Sequence, residues 1–504
     1  MSAPYYSAAP APKRPHLTLF IPRGRLSTIV MGSFAFAVAL APSYWDATPW
    51  LGLGIFLMAA TLWHSMLATA RIPWLPGAII AIAGLQWVLA PWAAYHLPVA
   101  PLRQGMSIPP EQYFSFAVPS TVALAVGLLL PIIRDGRVPV NRTVGARVDA
   151  AGLRRTCDAM LVGGMLLRLA GPFAGVSAGY AVKLVAELAY VGALGSMLMQ
   201  TNGWRMRVAA LFFTEAILNS INGVYFELVA WSVHFFLLYS FVHGVRKWKI
   251  VTLGSAAVVA VLALNGFKME FRTDIAGTQL TGMERAALAG QRFISMIGDP
   301  RSMFSPDNLA FNISRLNQGI TISRVLYWTP SREPFANGET VRAAIAAAAL
   351  PRALDPDKIV AGGFSYYPRF TGLPLIGGTS INLSMPGELY ANFGVGGAIF
   401  GMFVIGLLLG LVFRTFVRWS RDSVLWWAWM PYVLFSLIGA ESGIAESLNQ
   451  VVKATLVMIV VIRTVPAWMT LRHRLRLRSA KRTGVGARLP ATVGSGHESV
   501  GGQP

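Results

Sequence analysis

An all-α polytopic membrane protein, with about 12 transmembrane helices and a large, partly helical loop between helices 9 and 10, is predicted by three features of the sequence. Apolar runs recur that reach the roughly 20 helical residues needed to cross a hydrocarbon core. Charged residues make up only 13% of the 504, against roughly a quarter in soluble domains. Lys and Arg gather at every second border between the runs.

The spans are read at about 27–45, 50–69, 74–95, 116–133, 157–176, 180–199, 205–222, 224–243, 248–266, 388–413, 424–440 and 448–468. Basic residues in short loops mark the cytoplasmic side. They precede the first span (Arg14, Arg23, Arg25). They follow the second (Arg71), the fourth (Arg134, Arg137, Arg142, Arg147, Arg154, Arg155) and the sixth (Arg205, Arg207). They follow the eighth (Arg246, Lys247, Lys249), the tenth (Arg414, Arg418, Arg421) and the twelfth (Arg472 to Arg482). The intervening loops 46–49 and 177–179 contain none, and 97–115 has only Arg103. The chain thus divides into a cytoplasmic tail 1–26, spans one to nine over 27–266, an outer loop 267–387, spans ten to twelve over 388–468 and a basic, disordered cytoplasmic tail 469–504. No cleavable signal peptide is evident, and the first apolar run reads as an anchor.

Composition excludes several functions. The formal net charge is +21, but the excess sits at membrane borders rather than in a nucleic-acid patch, and no nucleic acid partner is expected. A single cysteine, Cys157, precludes an intrachain disulfide, C-x-x-C chemistry and a cysteine zinc site. Walker A and H-E-x-x-H patterns are missing.

About 120 residues between spans nine and ten are too many for a plain connector. Within 308–328 the residues Leu309, Ile313, Leu316, Ile320 and Val325 recur at roughly helical spacing. The Ala-rich stretch from Thr340 to Leu350 reads as a helix that Pro351 ends. The loop contains twelve Lys and Arg against nine acids. Arginine grips phosphate oxygens in a bidentate fork, although surface arginines are more often solvated or salt-bridged.

Four stretches of the loop and its exit carry a resemblance: Ser314–Leu316, Pro334–Thr340 (P-F-A-N-G-E-T), Leu350–Lys358 (L-P-R-A-L-D-P-D-K) and Gly387–Gly394 (G-E-L-Y-A-N-F-G). With Asn265–Arg272 before them, they resemble bacterial oligosaccharide repeat-unit polymerases, the O-antigen and exopolysaccharide polymerases of the Wzy type. The resemblance covers about 265–410; elsewhere it rests on the many spans alone. It implies a glycosyltransferase of the bacterial inner membrane, with both termini cytoplasmic and the large loop periplasmic. Such an enzyme joins polyprenyl-pyrophosphate-linked oligosaccharides without metal, nucleotide sugar or other cofactor. Its partners would be that lipid-linked substrate and membrane lipid, with a flippase and a chain-length regulator as candidate protein partners.

The chemistry narrows the residues. As a sugar–pyrophosphate bond breaks, charge builds on the departing diphosphate, and fixed cations lower the barrier. Lys268 and Arg272, four apart, share a helix face if the ninth helix continues past the border; the alternative for both is interfacial snorkelling. Arg352 and Lys358 rank next, then Arg315 and Arg324. Arg272 and Arg352 are assigned to catalysis, Lys268, Arg315, Arg324 and Lys358 to substrate binding. Glu388, opening span ten, is the best-placed general base, or else a first-turn carboxylate stabilised by the macrodipole. Tyr390 and Asn392 are candidates for sugar contact or for helix packing. Asp355–Pro356–Asp357 is formally D-x-D but reads as a Pro-centred turn.

Charges within spans need partners. Lys183 and Glu187 are spaced for an i,i+4 pair; Glu215 shares a face with Asn219, and Glu227 with His234; Arg168 lies in span five, and Glu441, Glu446 and Lys453 flank the last two spans. They line a polar cavity or tie the bundle together. Gly397–Gly401 and Gly406–Gly410 have G-x-x-x-G spacing, read as close packing within one chain. The competing functions are an O-antigen ligase-like transferase, and a flippase or transporter of lipid-linked oligosaccharide. Transporters often show two similar halves, whereas nine spans are expected here before the loop and three after it.

Overall fold

Scattered single residues, the pairs 16–17, 138–139 and 287–288 and the triplet 290–292 aside, the computed structural model describes residues 50–58, 75–96, 105–133, 150–170, 176–222, 226–245, 306–350, 363–375, 380–421 and 423–465. These residues are predominantly helical. Five helices among them are long and apolar enough to cross a membrane. The expected spans 27–45 and 248–266 and the second half of 50–69 lie outside the described residues, apart from isolated positions.

The helices, in chain order, are α1 (Leu75–His96), α2 (Pro110–Ile133), α3 (Ala150–Ala170), α4 (Val176–Ala186), α5 (Leu188–Leu198), α6 (Trp204–Asn222) and α7 (Phe226–His243). From the expected outer loop come α8 (Pro306–Leu316), α9 (Gly319–Trp328), α10 (Glu339–Ala349) and α11 (Tyr366–Thr371), and after it α12 (Met385–Trp419), α13 (Trp429–Leu434) and α14 (Ile444–Thr464). A two-residue antiparallel bridge joins His16–Leu17 to Val138–Pro139, two segments that the charge pattern assigns to one side.

Two groups of helices form the bundle: α1, α2 and α12 in one, α3 to α7 in the other, with α5 at the centre of the second. Both groups rest on the segment from Val424 to Ile438. The sequence predicts one span at 424–440. The structure instead breaks it into a 3-10 turn (Val424–Ala428), α13 and a second 3-10 turn (Phe435–Ile438). Pro431 lies within this stretch, and Trp426, Trp427, Trp429 and Tyr432 are fully buried, so large side chains on every side leave no lipid-facing stripe.

Close packing of α2 on α12 depends on glycine. A Cβ on Gly406 would lie 2.3 Å from the Leu124 carbonyl oxygen, one on Gly410 2.4 Å from that of Leu128, and one on Gly127 2.2 Å from that of Phe403. The expected intrachain role of the second G-x-x-x-G pair is thus observed. The first pair serves α12 itself. Gly394 adopts φ 68° and ψ −169°, outside helical geometry, and kinks α12. Cβ atoms on Gly397 and Gly401 would collide with Phe393 and Leu389 across that kink.

The periodicity over 308–328 resolves into two helices rather than one. Asn317 and Gln318 interrupt it where the chain docks on α1, whose residues Leu85–Leu89 form a π turn. Such a turn frees backbone carbonyls: Gln318 N donates to Gln86 O at 3.1 Å, and Tyr113 Oη to Trp87 O at 2.8 Å. Gly319 sits so tightly there that a Cβ would lie 2.5 Å from Pro91 and 2.6 Å from the Tyr113 hydroxyl. The predicted Ala-rich helix is present as α10, which lies along α14.

Gly406→Val is expected to destabilise the detergent-solubilised protein by about 1–3 kcal/mol, the usual cost of overpacking. Gly396→Ala, whose Cβ would meet nothing within 4 Å, should leave the melting temperature unchanged. Equal melting temperatures for the two variants would refute the close α2–α12 contact.

Candidate functional site

The two sequence islands Pro334–Thr340 and Gly387–Gly394 form one hydrogen-bonded knot. Ala336 N donates to Ala391 O at 2.9 Å and Asn337 N to Asn392 O at 3.1 Å. The Thr340 hydroxyl donates to Glu388 Oε1 at 3.0 Å. Asn392 Nδ2 donates to Thr340 Oγ1 at 2.7 Å and to Glu388 O at 2.8 Å. Glu388 Oε2 accepts the backbone N–H of Ile444 at 2.8 Å, the first residue of α14. A carboxylate at a helix N-terminus satisfies a donor that the helix cannot. Glu388 lies in the first turn of α12, as one of its two sequence readings has it, and its carboxylate also caps a neighbouring helix. Tyr390 donates to Thr329 O at 3.1 Å and stacks edge-on against Phe116 and Phe335, so it packs within the knot.

The knot continues along the same end of the bundle. Asn382 Nδ2 donates to Glu446 Oε2 at 2.8 Å, and a Cβ on Gly443 would lie 3.2 Å from Glu388 Oε2 and 3.4 Å from Asn382 Oδ1. Ser384, with φ 62°, donates to Ala440 O at 2.6 Å and accepts from Trp87 Nε1 at 3.0 Å. Backbone strain at a non-glycine residue persists only where such bonds over-determine it.

A second polar assembly ties α3, α4, α6 and α7. Arg168 pairs with Glu215, to which its Nη2 donates at 2.8 Å, and with Glu227 at 2.6 Å. Lys183 Nζ reaches Glu227 Oε1 at 2.5 Å. The expected Lys183–Glu187 pair is not formed, because the chain passes from α4 to α5 at Glu187 and Lys183 turns to α7. Glu187 instead accepts from Gln450 Nε2 of α14 at 3.3 Å, while Tyr180 Oη donates to Gln450 Oε1 at 3.0 Å. Asn219 bonds Glu215 as their shared face implies. His234 bonds the Ala230 carbonyl at 2.8 Å rather than meeting Glu227. Arg168 lies near the end of α3, Glu227 in the first turn of α7, and Glu446 in the first turn of α14. With successive helices running up and down, these groups share the end of the bundle that carries α8 to α11.

The loop arginines separate into two sets. Arg292 forks onto Asp274, at 2.7 and 3.0 Å. Arg369 bridges Glu333 at 2.6 Å and Glu339 at 2.8 Å, and hydrogen bonding to Glu333 raises its pKa above the ordinary arginine value. Arg315, Arg324, Arg332 and Arg342 have no carboxylate within ion-pair distance among the described residues. Arg315 is exposed and lies over the Phe311 ring; Arg324 donates to Thr371 O at 2.7 Å. Lys268, Arg272, Arg352 and Lys358, and the Asp355–Pro356–Asp357 turn, lie outside the described residues. Of the predicted set, the structure brings Glu388, Tyr390 and Asn392 together, with Arg315 and Arg324 on neighbouring loop helices.

Sequence reasoning missed Thr340, Asn382, Ser384 and Arg332. Ser384 had a usable signal, since a serine two residues before a proline marks a helix start. The partners of Thr340 and Asn382 are 48 and 64 residues away, beyond any local pattern. Comparison with protein families, curated proteins and solved structures finds no match to this chain.

Arg168→Met would leave Glu215 buried without a cation, while Glu227 keeps only Lys183. Removing one member of a buried ion pair typically costs about 3–5 kcal/mol. A drop of that size in thermal stability is expected, and an unchanged melting temperature would show that the network does not tie the bundle.

Proposed function

We propose that this chain is a polytopic, metal-independent glycosyltransferase with about twelve spans, whose large loop lies on the periplasmic face of the bacterial inner membrane. It polymerises polyprenyl-pyrophosphate-linked oligosaccharide repeat units into a surface polysaccharide or exopolysaccharide. The observation that carries this reading is the knot: two of the islands on which the sequence resemblance rests, some fifty residues apart, hold one another through Thr340, Glu388 and Asn392. The concentration of buried polar groups at the end bearing the loop helices supports it further. A lipid-linked sugar presents a diphosphate and a polar oligosaccharide at the bilayer edge, where such groups can be met.

In the reaction, the anomeric carbon–oxygen bond to the diphosphate breaks as the acceptor hydroxyl forms the new glycosidic bond, and the diphosphate leaves on its lipid. Arg272 and Arg352, with Lys268, Lys358, Arg315 and Arg324, would neutralise the leaving group. Glu388 would take the acceptor proton. Its Oε1 already accepts one hydroxyl, from Thr340, so an acceptor hydroxyl in place of Thr340 meets a carboxylate already disposed toward that geometry.

Polymerisation of a purified lipid-linked repeat unit by the reconstituted protein tests the reading. Arg272→Ala and Arg352→Ala should insert normally and make no long chains; normal chain lengths in both would remove the diphosphate assignment. Glu388→Gln should abolish polymerisation while Thr340→Val, which frees Oε1, retains most of it. Equal losses in the two would reduce Glu388 to a brace. In cells, loss of the gene should leave surface glycan bearing single repeat units. Polymer stranded on its lipid carrier would indicate a ligase, and units trapped on the inner face a flippase.

A further inference from the structure

Two of the loop arginines that have no carboxylate partner among the described residues share one aromatic platform. The Arg324 guanidinium carbon lies 5.2 Å from the Tyr327 ring centroid and 5.3 Å from that of Trp328. That of Arg332 lies 5.4 and 4.8 Å from the same two centroids. Two cations so placed about one ring are within a Debye length of each other, about 10 Å at 0.1 M salt, and repel.

The platform is built rather than incidental. Gly372, at φ 66°, lies so close to Trp328 that a Cβ would come within 2.4 Å of its ring, which fixes the indole from one side. Arg324 is held by Nε to the Thr371 carbonyl, which leaves its terminal nitrogens uncommitted by that bond. Arg332 is exposed, with Nη2 3.5 Å from the Tyr327 hydroxyl. The nearest acid in sequence, Glu333, is already bonded to Arg369, so it does not neutralise Arg332. Tyr327 is itself exposed.

We propose that Arg324 and Arg332, set on Tyr327 and Trp328, form an oxyanion-binding site for a group carrying two or more negative oxygens. Planar guanidinium forks suit such a group, and ring faces hold the guanidinium planes in place without competing for their N–H donors. Two sources present this chemistry: the diphosphate of a lipid-linked sugar, which rests on the function proposed above, and the carboxylate of an acidic sugar, which does not.

Equilibrium binding to the full chain in lipid nanodiscs, measured by calorimetry with inorganic pyrophosphate and separately with glucuronate, tests the site. At least one anion should bind, and Arg332→Gln should weaken it by about tenfold or more. Arg332→Lys, which keeps the charge and loses the fork, should fall between. Arg332 is exposed, so its variants report binding even if Arg324→Gln disturbs the Thr371 contact. Pyrophosphate dependence identifies a diphosphate site; glucuronate dependence alone keeps the site and assigns it to acidic sugar. No binding of either anion, or equal binding by Arg332→Gln, overturns the proposal. Arg332-dependent binding without polymerisation would sink the function proposed above and leave this site standing. Polymerisation with unaltered anion binding in Arg332→Gln would do the reverse.

Discussion

The Glu388 carboxylate is the contact on which the arrangement of the loop end depends. It is nearly inaccessible, at 5% exposure, and each oxygen is occupied: one by the Thr340 hydroxyl of α10, the other by the first N–H of α14. One side chain thus joins a loop helix, the kinked start of α12 and the helix that closes the bundle. A buried carboxylate is tolerated only when its lone pairs are satisfied. Asn392 satisfies Thr340 in turn, so the loop and the bundle have one mutually consistent register.

The backbone irregularities surround this contact. Gly394 kinks α12 just past the knot, Ser384 takes a left-handed φ just before it, and Gly338, with φ 84°, opens α10 beside it. All three sit where the chain enters or leaves the segments that bring Thr340 to Glu388. The π turn in α1 acts alike, offering carbonyls to the chain between α8 and α9. In lipid, such departures are tolerated where protein re-satisfies the freed groups.

The ion pairs of Arg168 and Lys183 with Glu215 and Glu227 have a different role. Two cations and two carboxylates make that set neutral, and its members come from four helices. Lipid offers no hydrophobic drive to bring helices together. Mutual satisfaction of charges that are costly in a membrane gives these helices a reason to adopt one order.

Much of this was legible in the residues. Apolar run length identified α1, α2, α12 and α14, because a helix satisfying its own backbone needs only about 20 apolar residues to span. The Ala-rich run ending at Pro351 identified α10, and the Gly406–Gly410 spacing identified a close contact without naming α2 as its partner. The sequence also marked Arg168 and Glu227 as charges in need of partners, and Glu388 and Asn392 as candidate site residues. It could not assign their partners: Lys183 chooses Glu227 over Glu187 four residues away, and Glu388 also caps α14. Local spacing decides whether a segment is helical and which face is apolar. Which carboxylate meets which donor, and where a span such as 424–440 must break, is decided by the packing of distant segments, since those interactions exist only once the helices are together.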